Sequence, residues 1–527
     1  MSDHGNLSAW LLDASRHHDP SREALREGER SMTYGELSSA VAKLAGALRE
    51  LGLSPGERVA IVMRDTIEAA TSILGVIHGG GIAVPLSELA TAEDLVDYLA
   101  HCQASMVIVD AEHRAVVDSA RVETPKLRHV LALGGEQSKR VTSEHQLAAL
   151  LARATPAPPV PHEPGGTCLL LYSAGSAPGA LRAARHCKDT VAAACASAAE
   201  RYFSMTSEDR VLSVARLSTA YGLGVGLFFP LSVGACSLLF PPQPKSASLF
   251  AAISTFSPTL LFATPSIYGQ LVHDAATSQR EQALSGLRAA VAGAEGMPER
   301  LIPRIRSVLG TEVTVGYGLT EIFQFALAGR SNDPGIRSAV CGRPLPGVEA
   351  RLVDDDGNPA GPDEIGTLQL RCSSLGKGYW DLPDVVFTDG WFTTNDRFIV
   401  DAAGNYDHCG RVDDLFKVGG KWVSPLEVER ALTAHEGVWE CAVIGTEDED
   451  GLIKPLAFVV TNVGHAGDEK LAAELREYVK QVLAPYKYPR WIEFVDALPR
   501  GPGGKVLRYR LRPPPRRRRA ETGHDHG

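Results

Sequence analysis

Residues 56–81 read GERVAIVMRDTIEAATSILGVIHGGG, and this stretch decides the fold class. Gly56-Glu57-Arg58 leads into Val59-Ala60-Ile61-Val62, an apolar run short enough for a buried strand. Residues 67–78 carry apolar side chains at helical spacing and stop at Gly79-Gly80-Gly81, where helix propensity collapses. The same alternation continues on both sides. Residues 34–51 read as a helix behind Thr33, a capping residue. Val107-Ile108-Val109-Asp110 reads as another buried strand. Strand–helix alternation of this kind predicts an α/β fold with a mostly parallel sheet.

Further along, residues 152–164 are rich in Pro and Ala and read as a surface connection. Beyond about Gly347 the texture changes. Residues 348–353, 366–371 and 395–407 read as β-strands joined by tight turns such as Asp355-Asp356-Gly357. After 410–414 comes a compact pattern of helix 425–435, strands 440–444 and 457–461, and helix 468–483. The expected architecture is α/β: a large N-terminal domain of packed sheets with a β-rich subdomain, then a small mobile C-terminal α/β domain. The boundaries read as 1–412 and 413–512, with a basic, low-complexity tail over 513–527.

The chain has 527 residues, 53 basic and 63 acidic side chains and a net charge of −10. Charged residues are 22% and hydrophobic residues 44%, a composition that excludes a wholly disordered chain. Nine of the basic residues fall in 500–519, so the rest of the chain is acidic, near −19. That balance argues against a nucleic-acid-coating protein or a basic membrane-surface binder. Nine cysteines are scattered without a CxxC pair, which fits reduced thiols and a cytoplasmic protein. The first residues show no basic region followed by a long apolar run. Residues 217–244 contain no charge, yet their glycines and prolines favour buried loops and short strands over a membrane helix.

Several motifs carry chemistry. Tyr317-Gly318-Leu319-Thr320-Glu321 follows an apolar strand over 312–315. A glycine turn there could set Thr320 and Glu321 beside a phosphate, with Glu321 on a magnesium ion. Alone, the segment fits a strand end with a capping threonine as well. Further on stand Gly390-Trp391-Phe392-Thr393-Thr394-Asn395-Asp396, then Gly410-Arg411-Val412-Asp413-Asp414-Leu415-Phe416-Lys417-Val418-Gly419-Gly420-Lys421. Near the end is Pro499-Arg500-Gly501-Pro502-Gly503-Gly504-Lys505. In this order and spacing, from about Met32 to Arg512, the set resembles the adenylate-forming superfamily of acyl- and aryl-CoA ligases.

The resemblance implies a reaction in two halves. A carboxylate attacks the α-phosphate of ATP, giving an acyl-adenylate and pyrophosphate, and a thiol then expels AMP. It implies that Lys505 stabilises the first transition state. Asp396 and Arg411 match the ribose and phosphate partners. Gly293-Ala294-Glu295 resembles the adenine pocket, with Tyr317 as a stacking face. Asp413 matches the hinge of a C-terminal domain that swings between the half-reactions, with the active site between the domains. Lys417, Gly419 and Gly420 match the pantetheine loop, although Lys417 and Lys421 also read as ordinary surface lysines. Ala220-Tyr221-Gly222 and its surroundings resemble the benzoate–CoA ligase branch, in which this segment walls an aromatic ring. Gly318 and Gln324 fall at further acid-pocket positions. The implied cofactors are ATP with Mg2+, and coenzyme A or phosphopantetheine as thiol. The expected partners are a small aryl acid or aroyl-CoA, with an acyl carrier protein and a second copy of the chain as further candidates.

Three departures stand out. The family's phosphate loop runs into Pro-Lys-Gly, whereas here it reads Tyr172-Ser173-Ala174-Gly175-Ser176-Ala177-Pro178-Gly179-Ala180-Leu181-Arg182. Ser173, Gly175 and Ser176 remain, a hydroxyl gives way to Ala177, one residue is inserted, and Arg182 falls near the lost lysine. A guanidinium fork is not equivalent to that ammonium. Gln324 stands where the branch has histidine. Asn395 replaces the glycine before the ribose aspartate, compatible with a left-handed turn. Three readings follow: an aryl-acid–CoA ligase with an unusual loop; an ATP-independent acyltransferase moving an aroyl group from CoA to a carrier protein; and a non-catalytic aryl-acid binder.

Overall fold

The computed structural model describes residues 5–13, 19–134, 144–173, 181–241, 245–277, 286–333, 341–362, 364–382, 387–388, 390–500 and 506–511. Its contacts form two units, Met1–Thr394 with Phe398–Asp407, and Asn395–Arg397 with His408–Gly527. The expected division at 412/413 rests on the resemblance of Asp413 to a hinge residue, not on contact density. The tail from 512 onward lies outside the described residues.

The first unit is built on two large sheets. In one, the strands run in the order Glu144–Gln146, His129–Leu133, Met106–Asp110, Arg58–Val62, Ile82–Leu86, Leu169–Tyr172 and Ala183–His186. All neighbours are parallel except the last pair, whose register sets Leu170 opposite Arg185. The central strands Ile82–Leu86 and Met106–Asp110 are buried throughout, which is why they read as continuous apolar runs rather than alternating ones.

The helix Tyr34–Glu50 starts at a capping box in which Thr33 and Glu36 exchange side-chain bonds. The helix Ile67–His78 is capped by Thr66 and buried along nearly its whole length. The two helices touch at Gly75, where a Cβ would lie 2.6 Å from Leu44 Cδ2.

The second large sheet runs Arg343–Pro344, Gln324–Arg330, Val313–Leu319, Ala289–Ala292, Leu260–Ala263, Arg210–Ser213, Cys236–Leu239, Glu23–Glu27 and Arg30–Thr33. It is parallel in the middle and antiparallel at both ends. The uncharged run breaks into the short helical turns Ala220–Leu223, Gly224–Phe228 and Phe229–Ser232 before the strand Cys236–Leu239. Among the described residues no helix is long and apolar enough to cross a membrane. The expected β-rich region is a third sheet containing Val348–Val353, Gly366–Cys372 and Trp391–Val400. All nine cysteines carry free thiols.

The second unit contains the sheet Val438–Glu447, Ile453–Thr461, Trp491–Phe494 and the helices Pro425–Ala434 and Glu469–Val482. Its core gathers Val428, Leu432, Val443, Val459, Leu471, Leu475 and Val479. A short ribbon pairs Phe416–Val418 with Lys421–Val423.

Candidate active site

In the first unit, the aryl-pocket motif is a capped turn. The Thr219 hydroxyl donates to the Arg216 carbonyl at 2.8 Å and accepts from the Gly222 amide at 3.0 Å. A Cβ on Gly222 would lie 2.1 Å from the Arg216 carbonyl oxygen, so this position is restricted to glycine. The turn is anchored from below. Asp65 accepts from the Leu217 amide at 3.0 Å, and Arg216 pairs with Asp65 at 3.5 Å and Glu88 at 3.0 Å. Burial pushes the Asp65 carboxyl up to about 7 against the pull of Arg216.

Tyr221, carried by this turn, meets Phe325 edge to face at 5.5 Å between centroids. Burial pushes its phenol far above the ordinary range. The rings are accommodated by absent side chains. A Cβ on Gly293 would lie 2.9 Å from Phe325 Cε1 and 3.3 Å from Tyr221 Cζ, and one on Gly316 would lie 2.3 Å from Phe325 Cδ1. Gly293 thus lets both rings pack onto the backbone at contact distance. The sequence motifs do not single out Phe325; its signal is Gly316, which leaves room for a neighbouring ring.

The expected glycine turn at 317–318 is not present. The strand continues over Val313–Leu319, with a register shift between Tyr317 and Gly318 against Phe325, and the chain turns only at Thr320–Ile322. A Cβ on Gly318 would meet the Gln324 carbonyl at 2.5 Å, so this glycine serves close strand pairing. Gln324 is buried, its Nε2 donates to Ser374 Oγ at 2.7 Å, and its Oε1 has no hydrogen-bond partner among the described residues. Tyr317 packs edge to face on Phe398 at 4.9 Å. Ala294 holds a left-handed backbone, φ 70°, and Glu295 accepts from the Ser266 hydroxyl at 2.5 Å.

Glu321 accepts a 2.6 Å bond from the Tyr379 hydroxyl. Burial, with the Glu321 charge, pushes the Tyr379 phenol far up, so it stays a donor. His186 Nε2 donates to the Thr320 carbonyl at 2.8 Å, and burial pulls the ring down to about 4. Thr320 and Glu321 are therefore fixed from two sides. One carboxylate with a neighbouring hydroxyl suits Mg2+, which keeps waters and substrate phosphates as its other ligands. Among the described residues no cluster of three or more His, Cys, Asp or Glu could hold a metal by itself. Ser173 closes the base of the phosphate loop, its amide donating to the Arg182 carbonyl at 2.9 Å. Gly175 and Ser176 lie outside the described residues, as does Lys505.

In the second unit, Asp396 is buried and accepts from His408 Nε2 at 3.0 Å. The Val412 amide donates to the Asn395 carbonyl at 2.8 Å, which sets Arg411 beside this pair. Arg411 Nε is buried with no partner among the described residues. Asn395 lies inside the extended strand Trp391–Val400, in keeping with the strand reading that starts at 395, and the left-handed turn it would permit is not used. Asp413 is exposed in the turn after Tyr406–Arg411. Lys417 Nζ lies 4.4 Å from the Trp422 ring centroid, and Lys421 Nζ 5.1 Å from that of Tyr486. Gly419 and Gly420 have φ of 57° and 79° in the two-residue turn of the ribbon, a geometry that itself demands glycine.

The sequence of residues 12–380 matches the AMP-binding enzyme family, and residues 427–505 match the AMP-binding enzyme C-terminal domain. The chain belongs to the AMP-binding enzymes. Among them it falls in the benzoate–CoA ligase-like branch of the adenylate-forming superfamily. The benzoate–CoA ligase of Thauera aromatica is 37% identical over 92% of this chain and 90% of its own length. The 4-hydroxybenzoate–CoA/benzoate–CoA ligase of Rhodopseudomonas palustris is 35% identical over 93% of this chain and 90% of its own. A crystal structure of the anthranilate CoA ligase AuaEII in complex with anthranoyl-AMP superposes with a TM-score of 0.87 at 32% identity, covering 96% of each chain. As in those AMP-binding enzymes, a large N-terminal domain precedes a small C-terminal one.

Proposed function

We propose that this AMP-binding enzyme is an aryl-acid–CoA ligase that forms an aroyl thioester through an aroyl-adenylate. The observation that carries the reading is the wall made by Tyr221 and Phe325, two rings at 5.5 Å over backbone stripped to glycine at 293 and 316. A flat aromatic acid offers such a wall its face or edge. The relatives named for benzoate, hydroxybenzoate and anthranilate support the same substrate class. The buried Oε1 of Gln324 favours an acid bearing a hydrogen-bond donor on its ring, because leaving that oxygen unpaired costs about 1–3 kcal/mol.

In this reading Tyr221 and Phe325 orient the ring, and Thr320 and Glu321 face the phosphates. Mg2+ bound at Glu321 would neutralise phosphate charge. Asp396 accepts from the ribose hydroxyls, Arg411 donates to ribose or phosphate, and Glu295 borders the adenine. Lys505 supplies positive charge where the α-phosphate is attacked. Asp413 acts as hinge, and the Lys417–Lys421 ribbon receives the pantetheine arm.

ATP–pyrophosphate exchange over a panel of benzoate, anthranilate and hydroxybenzoates tests the proposal. Exchange stimulated by an aryl acid is expected, with a donor-substituted ring ahead of benzoate. The altered sequence between Gly175 and Arg182 motivates the second reading, aroyl transfer from CoA to a carrier protein. Absence of exchange, with transfer of a labelled aroyl group to a phosphopantetheinylated carrier, would replace the first reading by the second.

A further inference from the structure

The phosphate loop lacks the lysine that the family resemblance implies, and the structure shows what stands at the base of that loop. Arg182 is exposed, and its guanidinium lies over the ring of Tyr379, 5.6 Å from the centroid. The hydroxyl of the same tyrosine is bonded to Glu321 Oε1 at 2.6 Å. One buried aromatic side chain therefore touches a cation with its face and an anion with its edge. Among the described residues, each charge contacts Tyr379 and no ion pair joins Arg182 to Glu321.

The backbone holds this arrangement rigidly. Ala184 bridges Tyr379 in antiparallel fashion. The Trp380 amide donates to the Ala183 carbonyl at 2.9 Å, the Arg185 amide to Gly378 at 2.9 Å, and the Lys377 amide to Arg185 at 2.8 Å. The Gly376 amide donates to the Glu321 carbonyl at 2.8 Å. A Cβ on Gly376 would lie 2.7 Å from the Arg185 carbonyl oxygen, so the three segments approach as closely as backbone permits. Tyr379 has little freedom to swing away.

We propose that Tyr379 is a spacer that keeps Arg182 and Glu321 adjacent but unpaired, leaving the guanidinium to bind the pyrophosphate end of the nucleotide while the carboxylate faces its divalent cation. The proposal rests on the ligase reading above and adds a residue that the loop sequence does not contain. A direct Arg182–Glu321 ion pair would satisfy both charges internally and leave neither for the ligand. The tyrosine prevents that pairing: the guanidinium lies over its ring and is hydrogen-bonded to its hydroxyl, and the remaining N–H donors stay available for phosphate oxygens. Tyr379 is a positioning residue, and Arg182 is the group that meets the phosphates.

The test is pyrophosphate binding to the full chain, with and without Mg2+, by titration calorimetry, beside ATP–pyrophosphate exchange. Arg182→Ala is expected to weaken pyrophosphate binding by about tenfold to a hundredfold and to raise the KM for ATP alike. The KM for the aryl acid should stay within about twofold. Arg182→Lys should recover part of the loss. Tyr379→Phe keeps the ring face but removes the hydroxyl that both charges contact, and should lose less pyrophosphate affinity than Tyr379→Ala. Tyr379→Ala frees the guanidinium to pair with Glu321 and should resemble Arg182→Ala; adding Glu321→Gln should then restore Mg2+-free binding. Because Arg182 is exposed, its variant tests the idea even if Tyr379→Ala fails to fold. Unchanged pyrophosphate affinity in Arg182→Ala, with exchange intact in the parent, would overturn this inference and leave the ligase reading standing. A parent that neither binds pyrophosphate nor exchanges it would overturn both.

Discussion

The two ends of the candidate site in the first unit are built on opposite plans. The aryl end is made by removing side chains: Gly222, Gly293 and Gly316 let backbone approach two rings and a carbonyl to contact distance. The phosphate end is made by holding charged side chains apart: Arg182 and Glu321 are separated by one tyrosine pinned between strands. On the proposed reading, the first plan selects by shape and tolerates almost no added atom. The second selects by charge and depends on distances kept by a frame. Damage should therefore read out differently at each end.

The sharpest break is Gly222→Ala. Its Cβ would meet backbone oxygens at 2.1 and 2.4 Å, which no side-chain rotation relieves. Displacing Tyr221 by about an ångström should lower aryl-acid-dependent exchange by about a hundredfold. Binding of pyrophosphate, measured on the same sample, should survive.

Acidity separates the two ends next, because their buried titratable anchors have opposite signs. His186, beside Thr320, is pulled from 6.5 down to about 4 by burial. The unfolded chain then binds the extra proton, so its contribution is full above pH 6.5 and is lost as pH falls toward 4. Asp65, beneath the aryl turn, is pushed from 3.8 up to about 7. The folded protein binds that proton more tightly, so its contribution is full below 3.8 and is lost as pH rises through 7. In urea unfolding between pH 4.5 and 8, His186→Gln should remove about 2–3 kcal/mol of acid-side loss. Asp65→Asn should flatten the alkaline side instead. Equal slopes in both variants would contradict the assignment.

A smaller effect sharpens the comparison. Gly293→Ala would set its Cβ 2.9 Å from Phe325 Cε1 and 3.3 Å from Tyr221 Cζ, so a ring rather than backbone must shift, and the KM for the acid should rise about tenfold while that for ATP stays put. Combined with Arg182→Ala, the losses should add, since one touches shape and the other charge. Smallest is Gly420→Ala in the second unit, where the added methyl meets open space and only the backbone conformation objects. It should destabilise by about 1 kcal/mol in thermal or urea unfolding and leave both ends of the site untouched.

Periodic elements were legible because their cause is local. The helix Ile67–His78 and the strand Val348–Val353 have the bounds that the pattern predicts. The motif residues Tyr221, Glu321 and Asp396 could be singled out in the same way, by resemblance over short segments. What could not be read depends on partners far away in the chain. Tyr379 reaches Glu321 across 58 positions, and Gln324 reaches Ser374 across 50. One local reading gave way to sheet pairing. Tyr317-Gly318 has a turn-like composition, but ladder bonds to the neighbouring strand hold it extended. At Gly419-Gly420 the two-residue turn explains the glycines without any ligand.

Phe325 gives the aryl end one further property. Its ring occupies the room left by Gly293 and Gly316, while its other neighbours, Phe203 and Tyr221, are themselves held by the core. On the proposed aryl-acid reading, the depth available to the acid's ring is set there by a side chain that carries no charge, donates no proton and caps no helix. Such a residue works as an interchangeable gauge block. A shorter one would make room for a bulkier acid while leaving Thr320 and Glu321 in place.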